Sequence, residues 1–176
     1  MHEWVALLRG VNVGGVKVLG RDLAALCTGL GWEDVRTVLA TGNVRFSSPR
    51  GADELRSELE AALAGRYGRP VPVHVLPRAR LAELAAAHPF AEAEHHHAYV
   101  VFCSETSVLA ALLDAAVAAG VPLVPGEERI AAGDGVVFWA CPRGSSLGTP
   151  FARLTARARL REALTTRNLN TVRKLF

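Results

Sequence analysis

Cysteine is scarce in this chain. The three that occur, Cys27, Cys103 and Cys141, are odd in number and far apart. No two have C-x-x-C spacing, and each sits in an apolar run: Ala-Leu-Cys, Val-Phe-Cys and Trp-Ala-Cys. The pattern argues against a disulfide framework and for buried free thiols in a reducing compartment. Aromatic residues make up only 6% of the chain, and the aromatic signature by which sheet proteins stack single-stranded bases is missing. Long apolar runs are missing too. The greasiest stretch, Ser107 to Val124, is interrupted by Asp114 and ends in Gly120 and Pro122, too short to span a bilayer. The chain opens Met-His-Glu-Trp and enters apolar sequence without the basic region and hydrophobic segment of a secretory signal. A cytoplasmic protein with no membrane association is expected.

What is present is ordinary globular material: 50% apolar and 21% charged over 176 residues. A chain of that length buries roughly two-thirds of its unfolded surface and needs no metal or disulfide to stay folded. The net charge of +3 is unevenly spread. From Arg143 to Phe176 eight basic residues face Glu162 alone, whereas the first 142 residues hold 12 basic and 16 acidic groups. A basic end suits an anionic partner or a solvated helix surface.

Hydrophobic periodicity predicts a strand over 4–8, then a glycine turn, then a helix over 21–30 stopped by Gly31. Strands over 35–39 and 44–46 flank Thr41-Gly42-Asn43, where Gly42-Asn43 suits a two-residue hairpin turn. Leu55, Leu59 and Leu63 mark a helix over 52–67, and a strand over 71–76 follows. The order β-α-β-β-α-β is that of a ferredoxin-like unit, an antiparallel sheet with helices on one face. The second half echoes it: helix 78–87, strand 99–103, helix 107–119, then strands 128–131 and 136–141 split by Gly133-Asp134-Gly135. A helix over 152–164 and a short terminal helix over 168–175 complete it. The fold class is therefore α+β, a duplicated ferredoxin-like (βαββαβ) unit, with halves 1–76 and 77–176.

Three segments carry polar chemistry. In Arg9-Gly10-Val11-Asn12-Val13-Gly14-Gly15 the glycines have P-loop separation, but Val16 stands where the phosphate-binding lysine belongs and no Ser or Thr follows for magnesium. A triphosphate site is excluded; a looser backbone nest for a small anion, helped by Arg9 or Lys17, is compatible, as is a plain turn capped by Asn12. In Thr165-Thr166-Arg167-Asn168-Leu169-Asn170-Thr171-Val172, Leu169 and Val172 form a packing face, with Phe176 in register after them. Arg167, Asn168 and Asn170 are left for other contacts, and Thr166 is placed to cap the helix. The run His95-His96-His97 places neighbouring rings on opposite faces if extended, which rarely converges on zinc. A polar loop and no metal are expected there. Arg153, Arg157 and Arg161 recur every four residues and would form one basic stripe on a helix over 152–164, the alternative nucleic-acid surface. No nucleophile elbow, Cys/His pair or carboxylate pair assembles in the sequence, and no cofactor motif is present.

Leu7-Leu8-Arg9-Gly10-Val11-Asn12-Val13-Gly14-Gly15, Thr41-Gly42-Asn43-Val44 and the Thr165–Val172 segment occur in an order that resembles the bacterial family catalogued as domain of unknown function number 1697. The resemblance extends through the helix break at His88-Pro89-Phe90 and implies a tandem ferredoxin-like architecture without implying an activity. Ser145-Ser146-Leu147 lacks the lysine usual in the family's Ser-Lys-Leu element, and Leu169 and Thr41 replace its customary tryptophan and serine. The expected site gathers Arg9, Asn12, Gly14, Gly15, Lys17, Thr41, Asn43, Arg167, Asn168 and Asn170 around a small anionic ligand, in a monomer or homodimer. The leading expectation is a binding or accessory protein. The alternatives are an enzyme acting on a small phosphorylated or carboxylated metabolite, and nucleic-acid binding through Arg153, Arg157 and Arg161.

Overall fold

Five consecutive buried residues, Trp4 to Leu8, force strand β1 (His2–Leu8) into the centre of a sheet. A strand covered on both faces also needs partners on both edges for its backbone groups. In the computed structural model, which describes residues 1–12, 16–39, 42–90, 95–121 and 128–176 (the Ala158 side chain aside), it has them. After helix α1 (Gly20–Gly29) and β2 (Glu33–Thr37), β3 (Asn43–Ser48) pairs antiparallel with one edge of β1. After helix α2 (Ala52–Tyr67), β4 (Val73–Pro77) pairs antiparallel with the other. The sheet order is β2-β3-β1-β4, the arrangement made by two interlocked split β-α-β units.

Helix α2 begins with Asp53 and Glu54 in its first turn, where they complement the helix dipole, and ends at Gly68, whose φ of 69° closes it in the left-handed region. Its Leu55, Leu59 and Leu63 are fully buried against Trp4, Ala6, Leu8, Val44, Phe46 and Val73, with Leu23 and Cys27 of α1 in the same core. Trp32 stacks on Phe46 at 4.0 Å between ring centroids. Strand alternation turns Glu3, Val5, Leu7, Asn43, Arg45 and Ser47 to the opposite face.

After helix α3 (Arg78–Ala86) the pattern repeats: β5 (His96–Cys103), α4 (Thr106–Ala118), β6 (Arg129–Ala132), β7 (Val136–Pro142), α5 (Pro150–Thr155), α6 (Ala158–Arg161) and β8 (Leu164–Asn168). The order β6-β7-β5-β8 reproduces that of the first sheet. Its core joins Val101, Leu112, Ala116, Val137, Trp139, Phe151 and Leu154. The chain ends in α7 (Leu169–Arg173). It divides into two compact units, Met1–Glu83 with Thr171–Phe176, and Leu84–Asn170. Among the described residues no helix is long and apolar enough to cross a membrane.

The structure corrects four local expectations. The single helix over 152–164 is two short ones: Thr149 caps α5 through its hydroxyl with Pro150 in the first turn, and Arg157 adopts extended backbone at ψ 139°. The residues after α6 form β8, because the second edge of β5 needs a partner and β-branched Thr165 and Thr166 suit a strand. The terminal helix begins at Leu169, since Asn168 is the last residue of β8. His96 and His97 belong to β5, paired with Pro142 and Cys141, rather than to a loop.

All three cysteines are free thiols. Burial pushes Cys27 up from its ordinary 9.0 to about 12. Burial, with the neighbouring Glu128 carboxylate, raises Cys141 to about 11. A thiol whose value is raised on folding contributes stability that is fully present below 9.0 and is lost as the pH climbs through its folded value. Urea midpoints measured from pH 7 upward will therefore fall more steeply in wild type than in Cys27→Ala above that ordinary value. At pH 8, iodoacetamide will label Cys27 and Cys141 only as fast as the protein opens, a rate read by mass spectrometry.

Candidate functional site

The chain leaves β1 into a loop that is stitched shut at its base. Arg9 donates its backbone N–H to the Pro72 carbonyl at 3.0 Å, and Gly10 turns the chain at φ 64°. Val11 bridges to Val16. Asn12 then sits in the left-handed region at φ 61°, which asparagine tolerates better than other side chains. Its Oδ1 accepts from the Val18 N–H at 2.9 Å, its Nδ2 donates to the Val18 carbonyl at 3.0 Å, and its own N–H reaches the Val16 carbonyl at 2.9 Å. Both ends of the amide hold the chain where it returns toward α1. Asn12 is thus a positioning residue. Half-buried Arg9 stands where the loop leaves the sheet and exposed Lys17 where it returns. Val13, Gly14 and Gly15 lie outside the described residues.

A second loop uses the same device. The expected two-residue hairpin is a longer connection from Val38 to Gly42, because Asn43 already belongs to β3. Val38 N–H donates to the Asn43 carbonyl and Asn43 Nδ2 donates to the Val38 carbonyl, both at 3.0 Å. Asn43 is 1% exposed, so it too closes a loop from within. Thr41 lies outside the described residues. Gly42, at φ 70°, accepts from the Leu8 N–H at 2.7 Å, and a Cβ placed on it would lie 2.6 Å from Val11 Cγ2 and 2.9 Å from Leu8 Cβ. Only glycine permits that approach. The two glycine loops therefore share an edge.

The third predicted segment falls in the second unit as far as Asn170. Arg167 and Asn168 lie on β8 opposite Val100 and Tyr99. Arg167 is half-buried, donates from Nη1 to the Thr166 carbonyl at 2.9 Å, and is pushed down by desolvation to about 10, still charged at neutral pH. Asn168 Oδ1 accepts the Asn170 N–H at 2.9 Å, so Asn168, not Thr166, caps α7. Thr166 is an exposed strand residue. Arg153, Arg157 and Arg161 do not stand on one continuous helix, because Arg157 interrupts it, and Arg153 is spent on the Gly148 carbonyl at 3.0 and 2.7 Å. Among the described residues no group of three or more His, Cys, Asp or Glu could hold a metal ion.

Two features were not singled out by sequence. Glu128, 3% exposed, accepts from Trp139 Nε1 at 2.9 Å and from the Phe151 N–H at 3.1 Å, a buried carboxylate tying β7 to α5. On the sheet of the first unit, Arg36 and Arg45 meet over a polar cleft. They are nine positions apart in the chain, and only strand register brings them together.

Replacing Gly42 by alanine combines a strained φ with a backbone-adjacent clash and will cost about 2 kcal/mol or more. Gly10→Ala, with open space around it, will cost about 1 kcal/mol from φ alone. Asn12→Ala removes two hydrogen bonds and will cost about 1–2 kcal/mol. Urea denaturation of the three variants gives this ranking directly.

In fold the chain is similar to the solved structure of conserved bacterial protein SP0830 from Streptococcus pneumoniae. The TM-score is 0.77 at 22% sequence identity, over 99% of this chain and 96% of that one. A likeness at that identity shows the fold alone. Among curated proteins, none matches the chain. A family model described as "Protein of unknown function (DUF1697)" matches residues 1–138, so both glycine loops lie within it and the Thr165–Val172 segment beyond it. The chain belongs to this family.

Proposed function

We propose that this protein binds a small anion, such as a phosphorylated or carboxylated metabolite, at the shared edge of the two glycine loops. The observation that supports the reading is the seating of Gly42 on Val11 and Leu8, which puts the bases of the two loops side by side. From Arg9 to Leu19 and from Thr37 to Val44 the sequence holds two cations, Arg9 and Lys17, and no acidic residue. A loop edge with that charge and glycine-rich backbone favours an anion. Asn12 and Asn43 keep the loops in shape, while Arg9 and Lys17 supply charge. Gly14, Gly15 and Thr41 complete the proposed contact set.

The test is a thermal-shift screen of the full chain with inorganic phosphate, sugar phosphates, nucleotides and small carboxylates. A hit at 100 times its dissociation constant will stabilise the protein by about 2.7 kcal/mol, which at this chain length raises the midpoint by several degrees. Lys17→Gln, at an exposed position, will abolish most of the shift without lowering the unliganded midpoint. A hit whose shift is unchanged in Lys17→Gln and in Arg9→Gln would overturn the assignment.

A further inference from the structure

We propose a separate anion site on the sheet of the first unit, in which Arg36 and Arg45 together clamp a doubly charged oxyanion, a phosphoryl group or a dicarboxylate. Arg36 of β2 stands directly opposite Arg45 of β3. Side chains so placed have Cβ atoms about 4.5–5.5 Å apart, and like charges there repel. Among the described residues neither guanidinium has a hydrogen-bond or ion-pair partner to offset that repulsion. The contrast with neighbouring arginines is sharp. Arg50 reaches Glu54 and Glu58, Arg56 reaches Asp53, Arg66 reaches Asp22, and Arg78 reaches Glu3.

A backbone irregularity makes the meeting possible. Glu33 pairs with Ser47 and Arg36 with Arg45, so three steps along β2 match two along β3: one extra residue, a β-bulge. Asp34, within the bulge, is held at φ 50°, a left-handed conformation that costs about 1 kcal/mol or more for a residue with a side chain. Without the extra residue, Val35 would oppose Arg45, and Arg36 would oppose Val44 on the helix-packed face. The bulge keeps Val35 against the core and brings Arg36 out to Arg45.

The two arginines open onto a cleft of about 240 Å³, with Arg78 also in its lining. Its carboxylates are engaged already: Glu3 binds Arg78, and Asp34 accepts from Ser47 Oγ at 3.4 Å. Three cations against two carboxylates leave a local excess of positive charge, concentrated on the two unpaired forks. Planar guanidinium groups match carboxylate and phosphate oxygens in bidentate fashion. An oxyanion between them converts the repulsive pair into an attractive one.

The cleft lining shares no residue with the contact set proposed at the loop edge, and the site is tested separately. Inorganic phosphate and malonate are each titrated through the millimolar range into the ¹⁵N-labelled full chain at constant ionic strength, with chloride as the balancing salt. We expect saturable shifts at Arg36, Arg45 and Ser47 with one anion or both, and the stronger binder identifies a phosphoryl or a dicarboxylate ligand. Arg36→Gln and Arg45→Gln will each weaken that binding at least about tenfold, whereas Lys17→Gln will leave it unchanged. Because Arg36 is exposed, its replacement tests the site even if Arg45→Gln disturbs the sheet. Unliganded Arg36→Gln will be at least as stable as wild type, since a like-charge pair is relieved. Absence of saturable shifts with both anions, or affinity undiminished in Arg36→Gln, would overturn the proposal.

Discussion

The first unit depends on β1 being buried on both faces. Trp4, Ala6 and Leu8 lie against the helices while Val5 and Leu7 are fully buried on the other side. A strand in that position cannot be an edge, so β3 and β4 must flank it, and α1 and α2 must carry the chain between them. Its antiparallel register with β3 sets Leu7 opposite Asn43. That pairing delivers the loop leaving β1 and the loop entering β3 to the same end of the sheet. The edge shared by the two loops is thus a consequence of topology, sharpened by Gly42, where a side chain would collide with Val11.

Asparagine does similar work in both loops, by different hydrogen bonds. Asn12 spends its amide on the Val18 backbone, and Asn43 donates to the Val38 carbonyl. In each case a side chain replaces a backbone partner that the loop cannot otherwise supply, which is why a polar group can sit at the foot of a core strand without an unmet hydrogen bond. The consequence for chemistry is a division of labour. The asparagines fix loop shape, and the charge that could meet a ligand belongs to Arg9 and Lys17.

The second unit shows how the same order of elements is reached from weaker local signals. Its helical connection between β7 and β8 is broken at Arg157, and β8 is short and polar at its end. What completes the sheet is the unpaired edge of β5, where Tyr99 to Cys103 offer backbone groups that Leu164 to Asn168 satisfy. The helix expected over 152–164, on which Arg153, Arg157 and Arg161 would form one stripe, is instead two short helices followed by a strand. The terminal segment changed role in the same way. Arg167 and Asn168 are strand residues, and the cap of α7 comes from Asn168.

Much of the fold was legible because it rests on periodicity and turn chemistry. The Leu55-Leu59-Leu63 stripe, the apolar run of β1 and the Gly133-Asp134-Gly135 turn each announce an element by local rules alone. Gly42 was legible as a turn residue, but not as a point of contact with Val11, since that approach exists only once β1 and β3 pair. The opposition of Arg36 and Arg45 was not legible at all. It depends on a one-residue bulge at Asp34, and a shift of one residue in register exchanges every side chain between the two faces of a sheet. The sequence by itself determined most of the strands and helices, though not β8, and which turns hold glycine. Tertiary structure decided which of them meet, because register and edge pairing arise between segments rather than within them.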